Sequence, residues 1–79
     1  MKVKVLLFGA LREQAGRPQL DVELAEGARV ADLRRTLEQS IPAVEKFGER
    51  LRLAVNLELA GEDHALVEGD EVALLPPVA

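Results

Sequence analysis

Polar and apolar residues alternate at the start of Lys2–Phe8 (KVKVLLF) and the stretch then becomes wholly apolar, which predicts a β-strand. Val3, Val5 and Leu7 share one face of it; Lys2, Lys4, Leu6 and Phe8 share the other. Gly9–Pro18 places two glycines and a proline around ALREQA and reads as a loop with room for one helical turn. Gln19–Leu24 (QLDVEL) alternates cleanly, with Leu20, Val22 and Leu24 inward, and suits a hairpin partner for the first strand. After Glu26-Gly27 the period changes. Val30, Leu33, Leu37 and Ile41 are spaced as one stripe of a helix, with Arg34, Arg35, Glu38 and Gln39 on its wet side. Asp32 suits the positive first turn, whereas Arg29 stands where a Ser, Thr or Asp cap is expected. Pro42 either stops this helix or begins a short second one through Phe47-Gly48.

Alternation returns in Leu51–Leu57 (LRLAVNL), with Leu51, Leu53, Val55 and Leu57 on one side, and Glu58–Ala60 reads as a short edge strand. Gly61–His64 is a polar loop, Glu68-Gly69-Asp70 a turn and Glu71–Leu75 the last strand. The order predicts one α+β domain over 1–79, a mixed sheet of four to five strands with one main helix packed on one face. Residues 76–79 form a projecting C-terminal arm, because Pro76 and Pro77 cannot donate to a ladder and favour extended backbone.

One face of this sheet carries apolar residues where water is expected. Val72 and Leu74 share the core side of the last strand, leaving Ala73 and Leu75 outward, and Leu6 and Phe8 are outward in the first. If the two strands are neighbours, Leu6, Phe8, Ala73 and Leu75 make one patch with the Pro-Pro arm leaving its edge. Contiguous exposed apolar area on a small protein marks a partner surface. The competing reading is that Leu6 and Phe8 close the far end of the core.

Charge and composition narrow the chemistry. The net charge is −4, and Phe8 and Phe47 are the two aromatics, which argues against a nucleic-acid partner. No apolar run is long enough to span a membrane and Met1 leads straight into a strand, so a cytoplasmic protein without a membrane partner is expected. With no cysteine and with single Ser40, Thr36 and His64, the chain lacks the partners that a nucleophilic or zinc site requires. No metal, no bound cofactor and no catalytic residue within 1–79 are expected. His64 reads as a solvated loop residue; Arg12, Lys46, Arg50 and Arg52 read equally as partner contacts or solubility charges.

The C-terminal run GDEVALLPPV resembles the signature of the small-subunit family of molybdopterin synthase, sulfur carriers with the ubiquitin-like β-grasp fold. KVKVLLFGALREQAG is similar to that family's opening strand and loop, VADLRRTL to its helix and LAVN to its third core strand, so the resemblance covers nearly the whole chain. It implies chemistry at the chain end rather than on a side chain. An E1-like adenylating enzyme uses ATP to activate a terminal glycine carboxylate, sulfur replaces AMP, and the thiocarboxylate enters the large synthase subunit. There it delivers sulfur to cyclic pyranopterin monophosphate, within an assembly of two small and two large subunits. Leu6, Phe8, Ala73, Leu75, Pro76, Pro77, Val78 and Ala79 are the implied partner-binding residues. Family members finish in Gly-Gly, which would follow Ala79 here. The alternatives are a processed or engineered end, or a β-grasp interaction module without sulfur chemistry. The related thiamine-pathway carrier is a further relative of the same fold.

Overall fold

A computed structural model describes residues 1–77, so the calls on Val78 and Ala79 lie outside the described residues. Five strands form one sheet: β1 (Lys2–Leu6), β2 (Gln19–Glu23), β3 (Arg52–Val55), β4 (Glu58–Ala60) and β5 (Glu71–Leu75). Their order is β2-β1-β5-β3-β4. β1 pairs antiparallel with β2 and parallel with β5, so the first and last strands lie side by side in the middle. β3 is antiparallel to both β5 and β4. Helices α1 (Gly9–Ala15), α2 (Val30–Ser40) and α3 (Pro42–Phe47), followed by a 3-10 turn at Gly48–Arg50, contribute to a single apolar core with the sheet. This is the mixed sheet with a helix-covered face that the alternation predicts.

The predicted helical stripe is the spine of that core: Val30, Leu33, Leu37 and Ile41 are all buried, against Val3, Val5 and Leu7 of the first strand region and Val72 and Leu74 of β5. Pro42 begins α3 rather than ending the helical region, as its fixed φ and missing N–H allow at a first helical position. The start of α2 is satisfied partly from within the helix and partly from a distant loop. Asp32 accepts the Arg29 N–H at 2.8 Å. The Val30 and Ala31 N–H groups donate to the carbonyls of His64 and Glu62 at 2.9 and 3.0 Å. The polar loop therefore caps the helix, which is why no Ser or Asp is needed at Arg29.

Four expectations are corrected. Gly9–Pro18 is not mainly loop: α1 occupies Gly9–Ala15, buries Leu11, and ends at Gly16 in the left-handed region (φ 74°). Its glycines sit at the helix ends, where Gly16 serves as the C-terminal cap. The first strand ends at Leu6, although Leu7 stays buried and its N–H donates to the Pro18 carbonyl at 2.8 Å. Leu57 does not face the core but is 92% exposed, because Asn56 and Leu57 form the two-residue turn between β3 and β4, both at positive φ (49° and 75°). Arg34 is not a free wet-face charge. Its guanidinium donates to Glu62 Oε1 at 2.8 Å, the Gly48 carbonyl at 3.0 Å and the Leu51 carbonyl at 2.9 Å, tying α2 to the 3-10 turn and the capping loop.

Candidate functional site: the outer sheet face and the base of the arm

The strand register decides which outward residues meet. Leu6 is opposite Ala73, Ala73 opposite Ala54, and Ala54 opposite Leu59. Four neighbouring strands thus contribute one apolar row across the face turned away from the helices, about 14 Å from Leu6 to Leu59 at the usual strand separation. Toward the Glu71 end of β5 the next row is polar, with Asp21, Lys4 and Glu71 in register. Toward the Leu75 end, Leu75 pairs with Arg52, and Phe8 lies two residues beyond Leu6. Phe8 is 45% exposed and Leu75 37%, large side chains that the domain leaves open to water. The condition for a single patch, adjacency of the first and last strands, is met.

Ala54 and Leu59 are members of this face that sequence reasoning missed. Ala54 is buried, yet it lies outside the core cluster. Its signal was present, since Leu53 and Val55 inward force Ala54 outward. Leu59 follows only once the turn is known to contain two residues, which sets Val55 against Glu58 and Ala54 against Leu59.

The arm leaves from the Leu75 end. Pro76 and Pro77 are half-buried rather than freely projecting. A Cβ added to Gly9 would meet Pro76 Cγ at 3.9 Å, so the first proline lies against the start of α1. Gly9 has φ 53°, a conformation that a side chain would strain, and it brings the chain under the arm with no bulk of its own. The base of the arm is therefore packed, and its exit direction is set by the domain.

The remaining candidate groups are scattered. Arg52 borders the patch by register, whereas Arg50 places its guanidinium 5.9 Å from the Phe47 ring centroid. Arg12 lies one turn into α1 and Lys46 is exposed on α3. His64 is exposed and contributes its backbone carbonyl to the α2 cap. The Thr36 hydroxyl donates to the Asp32 carbonyl at 3.0 Å. Among the described residues, no cluster of metal-ligating side chains occurs, and no helix is long and apolar enough to cross a membrane.

Known proteins are similar to this chain over nearly its full length. The molybdopterin synthase sulfur carrier subunit of Mycobacterium tuberculosis is 40% identical over 80 residues, covering 100% of this chain and 96% of the relative. That of Escherichia coli is 37% identical over 78 residues, covering 96% and 95%. Among solved structures, the small archaeal modifier protein 1 of H. volcanii superposes with a TM-score of 0.85 at 33% identity, covering 98% of both chains. A chain in the complex of subunits 1 and 2 of the molybdopterin-converting factor from Helicobacter pylori shares the fold, with a TM-score of 0.70 at 24% identity. The ThiS family profile matches residues 5–79, and this chain, with its β-grasp sheet and Pro-Pro arm, belongs to the ThiS family.

Proposed function

We propose that the protein is the sulfur-carrier small subunit of molybdopterin synthase, and that its outer face docks on the large subunit while the arm delivers sulfur. The observation that carries the reading is the in-register apolar row Leu6–Ala73–Ala54–Leu59, which runs beside the strand from which the packed Pro76-Pro77 arm leaves. Leu6, Phe8, Ala73 and Leu75 make the contact, and Pro76, Pro77, Val78 and Ala79 lead toward the reacting chain end.

In the first step a terminal carboxylate oxygen attacks the α-phosphorus of ATP on an E1-like adenylating partner, and pyrophosphate leaves. In the second, a hydrosulfide-level donor attacks the carbonyl carbon and AMP departs, leaving a thiocarboxylate. The large subunit then binds the arm, and sulfur passes to cyclic pyranopterin monophosphate in a two-plus-two assembly. The role of this chain is to carry and present; it needs no side-chain nucleophile and no bound cofactor, and ATP belongs to the activating partner.

Intact mass of the native protein tests this directly. Incubation with the activating enzyme, ATP and a sulfide donor should add about 16 Da, the mass of sulfur less that of oxygen. A native chain that ends without a terminal glycine, or that gains no mass, would leave the reading as an interaction module alone.

A further inference from the structure

The parallel pairing of β1 with β5 keeps one offset: Lys4 is opposite Glu71, Val5 opposite Val72 and Leu6 opposite Ala73. Carried past the end of the ladder, the same offset sets Phe8 beside Leu75 and Gly9 beside Pro76. Phe8 keeps extended backbone (φ −134°, ψ 158°), so the alignment persists that far. At Gly9 the chain turns away with φ 53° and enters α1. The packing agrees with the alignment. A Cβ placed on Gly9 would meet Pro76 Cγ at 3.9 Å and, among the described residues, no other atom from elsewhere in the fold within 4 Å. The turn thus falls at the position that faces the first residue of the arm.

The arm is stiff where it meets this turn. Leu75 is held in the ladder opposite Arg52, and as the residue before a proline it is kept extended. Pro76 has its φ fixed by its own ring and its ψ restricted by Pro77, whose φ is fixed in turn. Three consecutive residues therefore carry the direction of β5 into the chain beyond. Pro76 has no N–H with which to extend the ladder. Packing of its ring against the Gly9 turn is what holds it beside the first strand region, and the ring is half-buried there.

We infer that Gly9 and Pro76 are positioning residues for the reaction at the chain end, the turn being a seat that aims the arm before any partner is met; the inference rests on the sulfur-carrier reading. Three residues of extended chain reach about 10 Å, so a tilt of about 20° at Pro76 moves a point that far out by about 3 Å. Reacting atoms tolerate less, since a misplacement of about 1 Å can cost about a hundredfold in rate. An unseated arm must be ordered at the moment of reaction, and fixing one further backbone residue then costs about tenfold. In a seated arm that ordering is completed when the domain folds.

The test uses the native full-length chain with purified activating enzyme, ATP and a sulfide donor, and reads kcat/KM from the rate of mass gain. Pro76→Ala removes the ring and frees φ, whereas Gly9→Val cannot hold a positive φ and draws the turn from under the arm. Each should lower kcat/KM about tenfold, and the double variant should be no worse than either, because both act through one contact. Gly9→Asn, whose side chain tolerates the left-handed region, should stay within about threefold of wild type. In wild type a nuclear Overhauser effect should join the Gly9 Hα and Pro76 Hγ protons, and it should be lost in Gly9→Val. Wild-type kcat/KM in Pro76→Ala, a hundredfold loss in the double variant, or an equal loss in Gly9→Asn and Gly9→Val would overturn the proposal. Absence of the Overhauser effect in wild type would overturn it whatever the rates. Should Gly9→Val not fold, Gly9→Ala takes its place in the cycle. If wild type itself gains no mass, the carrier reading falls instead, and the Overhauser effect still decides whether the arm is seated.

Discussion

Leu74 and Leu75 are adjacent in β5, and the structure assigns them opposite jobs. Leu74 is 0% exposed and stands opposite Leu53 in the core; Leu75 is 37% exposed and stands opposite Arg52 at the edge of the outer face. Truncating Leu74 to alanine removes fully buried methyl groups and leaves a cavity, at a cost of about 3–4 kcal/mol. A domain of this length holds about 4–12 kcal/mol in total, so the loss is a large fraction. The same truncation at Leu75 removes about 2.4 kcal/mol of transfer free energy if burial were complete, at about 0.8 per methylene. With Leu75 37% exposed and no closed cavity to leave behind, about 1.5 kcal/mol remains. Urea denaturation should therefore separate the two variants by about 1.5–2.5 kcal/mol, with Leu74→Ala the weaker. Binding should reverse the order. Calorimetry with the large subunit, at a temperature where both variants are folded, should show Leu75→Ala at least about tenfold weaker and Leu74→Ala close to wild type. Equal stability losses would mean that the strand faces are assigned wrongly. Wild-type binding by Leu75→Ala would remove Leu75 from the interface.

Arg34→Lys should cost about 2 kcal/mol in urea denaturation, because an ammonium cannot span the Gly48 and Leu51 carbonyls as the guanidinium fork does; Glu62→Gln, at an exposed ion pair, should cost less than about 1 kcal/mol. Asp70→Asn should lower the unfolding free energy by a similar amount, about 2 kcal/mol, since an amide cannot accept from Asn56 and Val67 with both of its terminal atoms. The Met1 ammonium has a pKa raised above its ordinary 8.0, chiefly by its hydrogen bond with Glu23 and further by the charges of Glu23, Glu26 and Glu68 against an opposing desolvation. A raised folded-state value stabilises the fold below about pH 8, and that contribution is lost as pH rises through the folded pKa. Thermal melts should show wild type losing stability above pH 8, and Glu23→Gln should flatten that slope.

Most of the framework was legible because two periodicities decide it. Alternation placed the strands, and the Val30–Leu33–Leu37–Ile41 stripe placed the main helix, since burial of one face is a property of the local pattern. What escaped depended on partners distant in sequence. Helix α1 was hidden by glycines that punctuate its ends, and the α2 cap came from the carbonyls of Glu62 and His64, in a loop beyond β4. Leu57 was misplaced because an Asn-Leu turn lacks the Asn-Gly signature, so the alternation seemed to run on through it. The apolar face was legible at Leu6, Phe8, Ala73 and Leu75. Its extension to Ala54 and Leu59 needed the register, which no single strand contains.

The parallel pairing of β1 with β5 has a consequence for biosynthesis. Val5 meets Val72 at the centre of the sheet, so a nascent chain cannot complete its core until β5 has been made, about 65 residues after β1. Contacts between opposite ends of a chain carry the largest loop-closure cost and slow folding. Incomplete polypeptides, lacking the central strand, would stay open and remain targets for proteases. On the proposed carrier reading, the end of the chain that carries the chemistry is also the end whose arrival permits folding, so a partner that recognises the folded sheet selects for finished molecules.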